Sequence, residues 1–270
     1  MFKMNNYQPL VSINITTHNR AHYLPRAIDS VLSQSYDNIE IVIVDDCSTD
    51  KTPDVISDYQ KKDSRIRTHR HRENQGNAKA RNTALSLASG VYIAFMDDDD
   101  IWISQEKLSN QINHLNAHPH ISLVCTGVRR YSASTVYHDK VPSQPRNLED
   151  SLLRGNGLIY NSTVVARRDL FETVGCFDEH LQKGIDSEFF RRCVVWHRQP
   201  IAFLPDITTA IYEYGSDRMT PVQTREQTKK ALGAHWHVTK KYYRSYLRNP
   251  TALAVRLRNM SKLAVKYISR

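Results

Sequence analysis

Residues 39–44 read IEIVIV, and this stretch decides the fold class of the chain. Apolar side chains dominate both of its faces, which is expected of a central parallel strand that helices cover on either side. From residue 10 to about residue 131, similar β-rich runs alternate with segments of helical period. The alternation indicates βαβ units and therefore an α/β fold with a mostly parallel central sheet flanked by helices.

Five runs in this first part are predicted to be strands, and the segments between them to be helices. The strands are residues 10–16 (LVSINIT), 39–44 (IEIVIV), 66–71 (IRTHRH), 91–96 (VYIAFM) and 121–128 (ISLVCTGV). The helices include residues 23–32, 77–89 and 108–115 and a segment with Val55, Ile56 and Tyr59. After an irregular polar stretch at 132–147, we expect helices near 168–174 and 187–197, strands at 201–205 and 209–214, and helix from residue 220 onward.

The charge of the chain is distributed unevenly. The net charge is +9, and eleven Lys and Arg but no acidic residue follow Glu226. The rest of the chain holds 26 basic and 28 acidic residues and is nearly neutral. The basic character therefore belongs to a C-terminal tail, residues 220–270, and not to the main body, residues 1–219.

The four cysteines have no CxxC spacing, so they are expected to be reduced and to form no structural metal site. No apolar run approaches the roughly 20 residues that cross a bilayer. The N-terminus also lacks the apolar stretch of a secretory signal. We therefore expect a cytoplasmic protein.

Polar residues follow three of the predicted strands, at 16–19, at 45–46 and at 97–100, the last being four consecutive aspartates. In open α/β sheets, ligands bind beyond the carboxyl ends of the strands, and parallel strands bring these ends to one edge. If the chain stays extended through the four aspartates, Asp97 and Asp99 point to the same side. They then offer two carboxylate ligands to Mg²⁺ or Mn²⁺, and these cations complete their coordination shell with oxygen atoms of substrate phosphates.

Helix capping is the competing interpretation of these acidic stretches. Asp100 or Ser104 can cap the helix that follows the four aspartates, and Ser48, Thr49 or Asp50 can cap the helix after residue 51. The spacing alone leaves both interpretations open.

Three stretches in a fixed order carry a family resemblance. They are residues 11–52 (VSINITTHNR to VDDCSTDKT), 73–102 (ENQGNAKARN to FMDDDDIW) and 167–193 (RRDLFETVGCFDEHLQKGIDSEFFRRC). Together they resemble the family-two glycosyltransferases, which have the GT-A nucleotide-sugar fold. The resemblance implies one domain with a nucleotide-sugar-binding half at about 9–131 and an acceptor half at 132–219.

The resemblance also implies an activity: inverting transfer of a sugar from a nucleotide diphosphate sugar, most often UDP-linked, to a glycan or lipid-linked acceptor. The reaction class belongs to the synthesis of surface polysaccharide or lipopolysaccharide. On the nucleotide side, Thr16 and His18 correspond to residues that line the pocket, and Asp46 to one that hydrogen-bonds the base. His18 stands where the family commonly has Tyr or Phe.

The diphosphate side follows from the same resemblance. Lys79 or Arg81 is expected near the nucleotide or its diphosphate, together with Asp97 and Asp98. Asp99, with Asp97, is expected to hold Mn²⁺ or Mg²⁺. Asp100 is an additional aspartate beside this site.

Inverting transfer needs a group that takes the proton of the acceptor hydroxyl, and a carboxylate can do this. The resemblance implies that Asp186, in GIDSEFF, is this base, although Ile185 stands where the family often has an acidic residue. Helix N-capping by Asp186 is the alternative. Arg218 follows the last strand and could reach the diphosphate, and residues 160–162 are expected near the donor sugar.

The basic tail has two interpretations. A helical projection places Leu253, Leu257, Met260, Ala264, Tyr267 and Ile268 on one face, with Arg258, Lys262 and Lys266 opposite. Such a helix either lies on an anionic membrane surface, at the inner face of the plasma membrane, or packs on its own domain.

Two other functions remain as alternatives. A non-catalytic nucleic-acid-binding protein would use residues 65–72 (RIRTHRHR) and the tail, but the nearly neutral body argues against a nucleic-acid partner. A sugar nucleotidyltransferase would need a Gly-rich N-terminal loop, and the chain has only HNR at 18–20 in that place.

Overall fold

The computed structural model describes residues 8–132, 135–155, 157–213 and 224–268. Within these ranges nine strands form one sheet in the order β3-β2-β1-β4-β8-β6-β9-β5, and β7 pairs with β6. The strands are β1 (Val11–Thr17), β2 (Ile39–Asp45), β3 (Ile66–Arg70), β4 (Tyr92–Asp97), β5 (Asp100–Trp102), β6 (Leu123–Ser132), β7 (Thr135–Lys140), β8 (Val165–Arg167) and β9 (Ile201–Glu213).

Ten helices lie within the described ranges and flank this sheet. They are α1 (Leu24–Leu32), α2 (Thr52–Lys62), α3 (Asn77–Leu87), α4 (Lys107–Ala117), α5 (Leu148–Arg154), α6 (Asp169–Val174), α7 (Ile185–Val195), α8 (Arg225–Lys241), α9 (Tyr243–Arg248) and α10 (Pro250–Ile268). A single 3-10 turn at Asn161–Thr163 precedes β8. The predicted α/β fold with C-terminal helices is thus confirmed.

The N-terminal half of the sheet is parallel, as the sequence predicts. Strands β3, β2, β1 and β4 are parallel neighbours, and every residue of β2 is buried. Ile41 and Ile43 pack with one face of the core, whereas Val42 and Val44 pack against Ala80 and Ala84 of α3 on the other. The double-sided apolar run of β2 is explained by helices on both sides.

The second half of the sheet is mixed, which the sequence pattern did not predict. β8 lies antiparallel between β4 and β6, and β9 pairs parallel with β6 and antiparallel with β5. The two strands predicted at 201–205 and 209–214 form one strand, β9, because its pairing with β6 continues past Pro205 with a register shift. The segment predicted to be irregular contains β7.

The C-terminal helices pack against α7 and the core around it. Val238, Tyr242, Tyr246 and Ala252 belong to the same buried core as Phe189 of α7. The α10 helix runs back along α8, because Arg256 donates to the backbone oxygen of His235 and Arg225 lies over the Tyr267 ring. Of the six residues predicted for the apolar face of the tail, four are half-buried and two, Leu257 and Ile268, are exposed.

Within the described ranges, no helix is long and apolar enough to cross a membrane. All four cysteines are free thiols, and Cys125 and Cys193 are buried packing residues.

Candidate active site

The polar ends of β1, β2 and β4 meet at one edge of the sheet. These strands are neighbours in the order β2-β1-β4, with Thr17 beside Asp45 and Thr16 beside Asp97 in the strand register. The edge is the carboxyl end of the parallel strands, where α/β sheets bind their ligands.

Asp46 organises the loop that follows β3. Its carboxylate accepts hydrogen bonds from the Nδ1 of His71 at 2.7 Å and from the backbone amides of Gln75 at 2.9 Å and Gly76 at 2.8 Å. The Nε2 of His71 lies 3.0 Å from the Thr83 hydroxyl. An ionised carboxylate has about four acceptor positions, so these three donors leave room for about one more hydrogen bond.

Thr16 and His18 tie β1 to this loop region. The Thr16 hydroxyl donates to the Asn77 side chain at 2.8 Å, at the start of α3. His18 is exposed, and its Nδ1 donates to the backbone oxygen of Asp46 at 2.8 Å. The structure thus brings Thr16, His18 and Asp46 to one side of the sheet edge.

Arg81 and Lys79, on the same helix, have different surroundings. The Arg81 guanidinium is buried and donates to Asp97 at 2.7 Å. Lys79 is half-exposed and lies 3.4 Å from Glu179, in the loop before α7. Of the two, Arg81 therefore lies beside the aspartates, and Lys79 faces the loop before α7.

The four aspartates do not form an extended chain. β4 ends at Asp97, Asp98 and Asp99 lie in a turn, and Asp100 begins β5. The alternating arrangement considered for Asp97 and Asp99 therefore does not hold. Burial, together with the neighbouring Asp99 carboxylate, raises the pKa of Asp98 to about 8. The Arg20 guanidinium lies 4.0 Å from Asp98.

Asp100 does not cap a helix. Its carboxylate accepts a hydrogen bond from the Ser162 hydroxyl at 2.6 Å, and β5 pairs with β9. The Ser162 hydroxyl also accepts a hydrogen bond from the Asp97 amide at 3.0 Å. Asp100 thus fixes the 3-10 turn at Asn161–Thr163 against the end of β4.

The donor atoms at this turn fit Mg²⁺ or Mn²⁺. Asn161 donates its amide to Asp97 at 2.8 Å, while its buried Oδ1 has no hydrogen-bond partner within the described ranges. Carboxylate and amide oxygens are ligands that these cations prefer. Within those ranges, no group of three or more His, Cys, Asp and Glu is arranged to hold a metal ion.

Asp186 lies in the first turn of α7 but does not cap it, because Gly184, with φ 67°, occupies the N-cap position. Burial raises the pKa of Asp186; the Arg81 guanidinium opposes this shift and the Asp97 carboxylate adds to it. These electrostatic interactions link the base candidate of the acceptor half to the aspartates at the end of β4.

Glu188, two residues after Asp186 in α7, makes buried contacts that the sequence did not predict. It is fully buried, and its carboxylate binds the Tyr242 hydroxyl at 2.8 Å, Lys241 at 2.9 Å and Arg192 at 3.3 Å. Glu188 therefore connects α7 to the C-terminal helices.

Several other predicted residues can now be placed. Tyr160 lies under the Lys140 ammonium, and Arg218 lies outside the described residues. Of the basic stretch considered for nucleic acid, Arg67 pairs with Glu40 at 2.8 Å and Arg70 lies 3.2 Å from Asp45.

The sequence did not predict three contacts of the site region: His71 with Asp46, Asn161 with Asp97, and Glu188 with Tyr242. Each of them joins residues at least 25 positions apart in the chain.

Comparisons with known proteins agree with this architecture. The model of Glycosyl transferase family 2 matches residues 12–175. Two Escherichia coli relatives are named UDP-Glc:alpha-D-GlcNAc-diphosphoundecaprenol beta-1,3-glucosyltransferase: WfaP is 48% identical over 106 residues and WfgD 44% identical over 110 residues. The matches cover 39% and 41% of this chain. They span only 41% and 42% of the relatives' own lengths.

A solved structure shares the fold. The mannosyltransferase PcManGT from Pyrobaculum calidifontis, solved with GDP-Man and Mn²⁺, superposes with a TM-score of 0.64 at 21% identity. The superposition covers 96% of this chain and 76% of PcManGT.

Proposed function

The chain belongs to Glycosyl transferase family 2, and we propose that it transfers a sugar from a UDP-sugar to a lipid-linked glycan, with inversion at the anomeric carbon. The observation that carries this proposal is that β2, β1 and β4 end side by side, so that Asp46 follows the strand end next to β1, and that the ion-paired Arg81 and Asp97 both act electrostatically on Asp186. In the proposal, these groups are the nucleotide side, the diphosphate side and the base of one site.

The donor side of the proposed site has two parts. Thr16, His18 and Asp46 bind the nucleoside, where Asp46 retains about one acceptor position for a base or ribose group. Arg81 is the diphosphate-binding cation on α3, with Lys79 farther out, and Arg218 completes this group. Asp98 lines the same pocket beside Arg20.

Asp99 and Asp97 are the proposed ligands of Mn²⁺ or Mg²⁺. A divalent cation stabilises the negative charge that develops on a departing diphosphate. The half-buried position of Asp99 in the turn, and the Asn161 Oδ1 beside Asp97, support this assignment.

Asp186 is the proposed general base, which takes the proton from the acceptor hydroxyl as that oxygen attacks the sugar. A base works best when its pKa approaches the working pH. Burial moves the pKa of Asp186 in this direction, and the Arg81 guanidinium opposes the shift. The named activity of WfaP and WfgD, which form a β linkage from UDP-Glc, supports inversion and a lipid diphosphate acceptor in surface polysaccharide or lipopolysaccharide synthesis.

A transfer assay tests the proposal. Wild-type protein with UDP-Glc, Mn²⁺ and N-acetylglucosamine on an alkyl diphosphate should form a disaccharide, and EDTA should abolish product. Asp99→Asn should lower the rate at least tenfold at limiting Mn²⁺, whereas the exposed Asp58→Asn should not. Product formation that is equal with EDTA, or equal in Asp99→Asn, would remove the metal site from the proposal.

The division into a domain at 1–219 and a tail from 220 remains a proposal. The buried Val238 of α8 and Tyr246 of α9 show that these helices contribute to the core. For membrane association at the inner face of the plasma membrane we therefore propose only the outer stripe of α10. Its exposed Leu257, Val265 and Ile268 lie within roughly 80° of one another around the helix, with Arg258 and Lys262 beside them.

Charge reversal tests this membrane contact without removing buried residues. Each Lys or Arg near an anionic surface contributes about 1 kcal/mol. Combined Arg258→Glu, Lys262→Glu and Lys266→Glu should therefore lower the fraction that floats with phosphatidylserine vesicles to near background. Lys61→Glu with Lys62→Glu, on α2, is the control. Equal flotation of the α10 variant and wild type would contradict the proposal.

A further inference from the structure

A cleft of about 380 Å³ lies between α8 and the loop that leads into α7. His180 and Gln182 line it on the loop side, and Lys229, Lys230 and Ala234 line it on the α8 side. Gly233 forms part of the α8 wall, and a Cβ placed there would meet no atom within 4 Å. The cleft is therefore open at the centre of its helical wall.

Cations outnumber anions around this cleft. Lys229 and Lys230 line it, and the single lining carboxylate, Glu226, pairs with Lys230 at 3.1 Å. Lys183 follows Gln182 in the chain, and its Nζ is buried without a hydrogen-bond partner in the described parts of the structure. A buried ammonium without a partner is costly, and an anion in the cleft would offset this cost.

Lys183 is not a lining residue of the cleft, but it follows the lining residue Gln182 and interacts electrostatically with the lining residue Lys230. Burial lowers the pKa of Lys183, and the nearby Lys230 ammonium lowers it further. The two lysines are thus close enough to repel each other, although they come from different elements. An anion between them would bind both.

The cleft is also close to the proposed base. Lys183 precedes Asp186 by three residues, which span at most about 11 Å of chain. One sugar ring with its linking atoms bridges a distance of this size. Arg81 and the aspartates after β4, which act electrostatically on Asp186, are already assigned to the donor diphosphate.

We propose that this cleft binds the phosphate or diphosphate group of the glycosyl acceptor, with Lys183, Lys229 and Lys230 as its counter-ions. The inference rests on the proposed function and adds the acceptor class and its binding site. An acceptor held there would present its sugar hydroxyl toward Asp186.

Two acceptors that differ only in charge test the inference: N-acetylglucosamine on an alkyl diphosphate, and the same sugar on a neutral alkyl chain. The variants are Lys183→Met, which removes the buried cation, and Gly233→Leu, which fills the cleft. Replacing a helix glycine favours the helix by up to about 1 kcal/mol, so Gly233→Leu should fold. Lys240→Ala removes an exposed lysine of α8 outside the cleft and serves as the charge-matched control.

We expect each cleft variant to raise the KM for the diphosphate acceptor at least tenfold, with an unchanged KM for the neutral acceptor and for UDP-Glc. Lys240→Ala should change none of these values. Equal KM values of wild type for the two acceptors would overturn the inference, as would a rise in the UDP-Glc KM alone. Stabilisation by inorganic phosphate that depends on Lys183, with an unchanged acceptor KM, would indicate a free-phosphate site and also overturn it.

Failure of the proposed function gives a different result, because wild type would then transfer sugar to neither acceptor.

Discussion

Asp186→Asn is expected to lower kcat by about a thousandfold, within the range of roughly 10² to 10⁴ that general-base catalysis contributes. Asparagine keeps the size of the side chain but cannot take the acceptor proton. UDP and Mn²⁺ should raise the melting temperature of the variant as much as that of wild type, because ligand binding stabilises the native state. Kinetics and thermal shifts on the same preparations check both parts.

The matched control is Asp169→Asn, which changes an exposed aspartate in the first turn of α6. It should retain wild-type turnover. The raised pKa of Asp186 also gives a pH effect. Because the base acts only when ionised, activity should fall as the pH drops through a value above the ordinary aspartate pKa of about 3.9. Near-normal turnover of Asp186→Asn would exclude Asp186 as the base.

Glu188→Gln is expected to lower the free energy of unfolding by about 3 to 5 kcal/mol, the usual cost of removing one partner from a buried ion pair. The substitution keeps the side-chain volume but removes the charge that Lys241 and Arg192 contact. Urea unfolding measures the change. Glu172→Gln, at an exposed position of α6, is the control and should shift stability by less than about 0.5 kcal/mol.

A loss below about 1 kcal/mol for Glu188→Gln would contradict the role of Glu188 as the connection between α7 and the C-terminal helices. Asp178 supports the same connection. Burial opposes a low pKa there, but hydrogen bonds from Lys241 and His237 lower the pKa of Asp178 to about 2. Its contribution to stability is therefore present above pH 4 and is lost as the pH falls toward 2.

Local pattern was sufficient to predict the N-terminal half of the fold. Strand β2 is apolar on both faces because α3 covers one face and the opposite helices cover the other. The hydrophobic pattern of this strand was therefore enough to predict that helices lie on both sides of the sheet. The second half could not be predicted in this way. β5 has three residues and β8 three, and such short strands are specified by their partners β9, β4 and β6.

In the candidate site too, some residues could be placed from the sequence and others only from the tertiary fold. The positions of Asp46 and Asp97 follow from strand ends, because parallel neighbours must bring these ends together. Their hydrogen-bond partners, His71 and Asn161, lie 25 and 64 residues away and are placed by the tertiary fold. The turn at Asp98 also could not be foreseen, because it depends on Asp100 bonding to Ser162.

The C-terminal tail shows a third limit of prediction from the sequence. Hydrophobic periodicity shows that a helix has an apolar face, but it does not say what covers that face. In the structure Leu253, Met260, Ala264 and Tyr267 are half-buried, and the Met260 sulfur accepts a hydrogen bond from Thr239 of α8, so part of the predicted membrane face packs within the protein.

The anomeric configuration of the product tests the central claim most directly. With α-linked UDP-Glc as donor, Asp186 as base and attack opposite the departing diphosphate, the proton NMR coupling of the new anomeric centre should be that of a β linkage. An α-linked product would contradict the claim, because retention requires a different arrangement of reacting groups from the one proposed around Asp186.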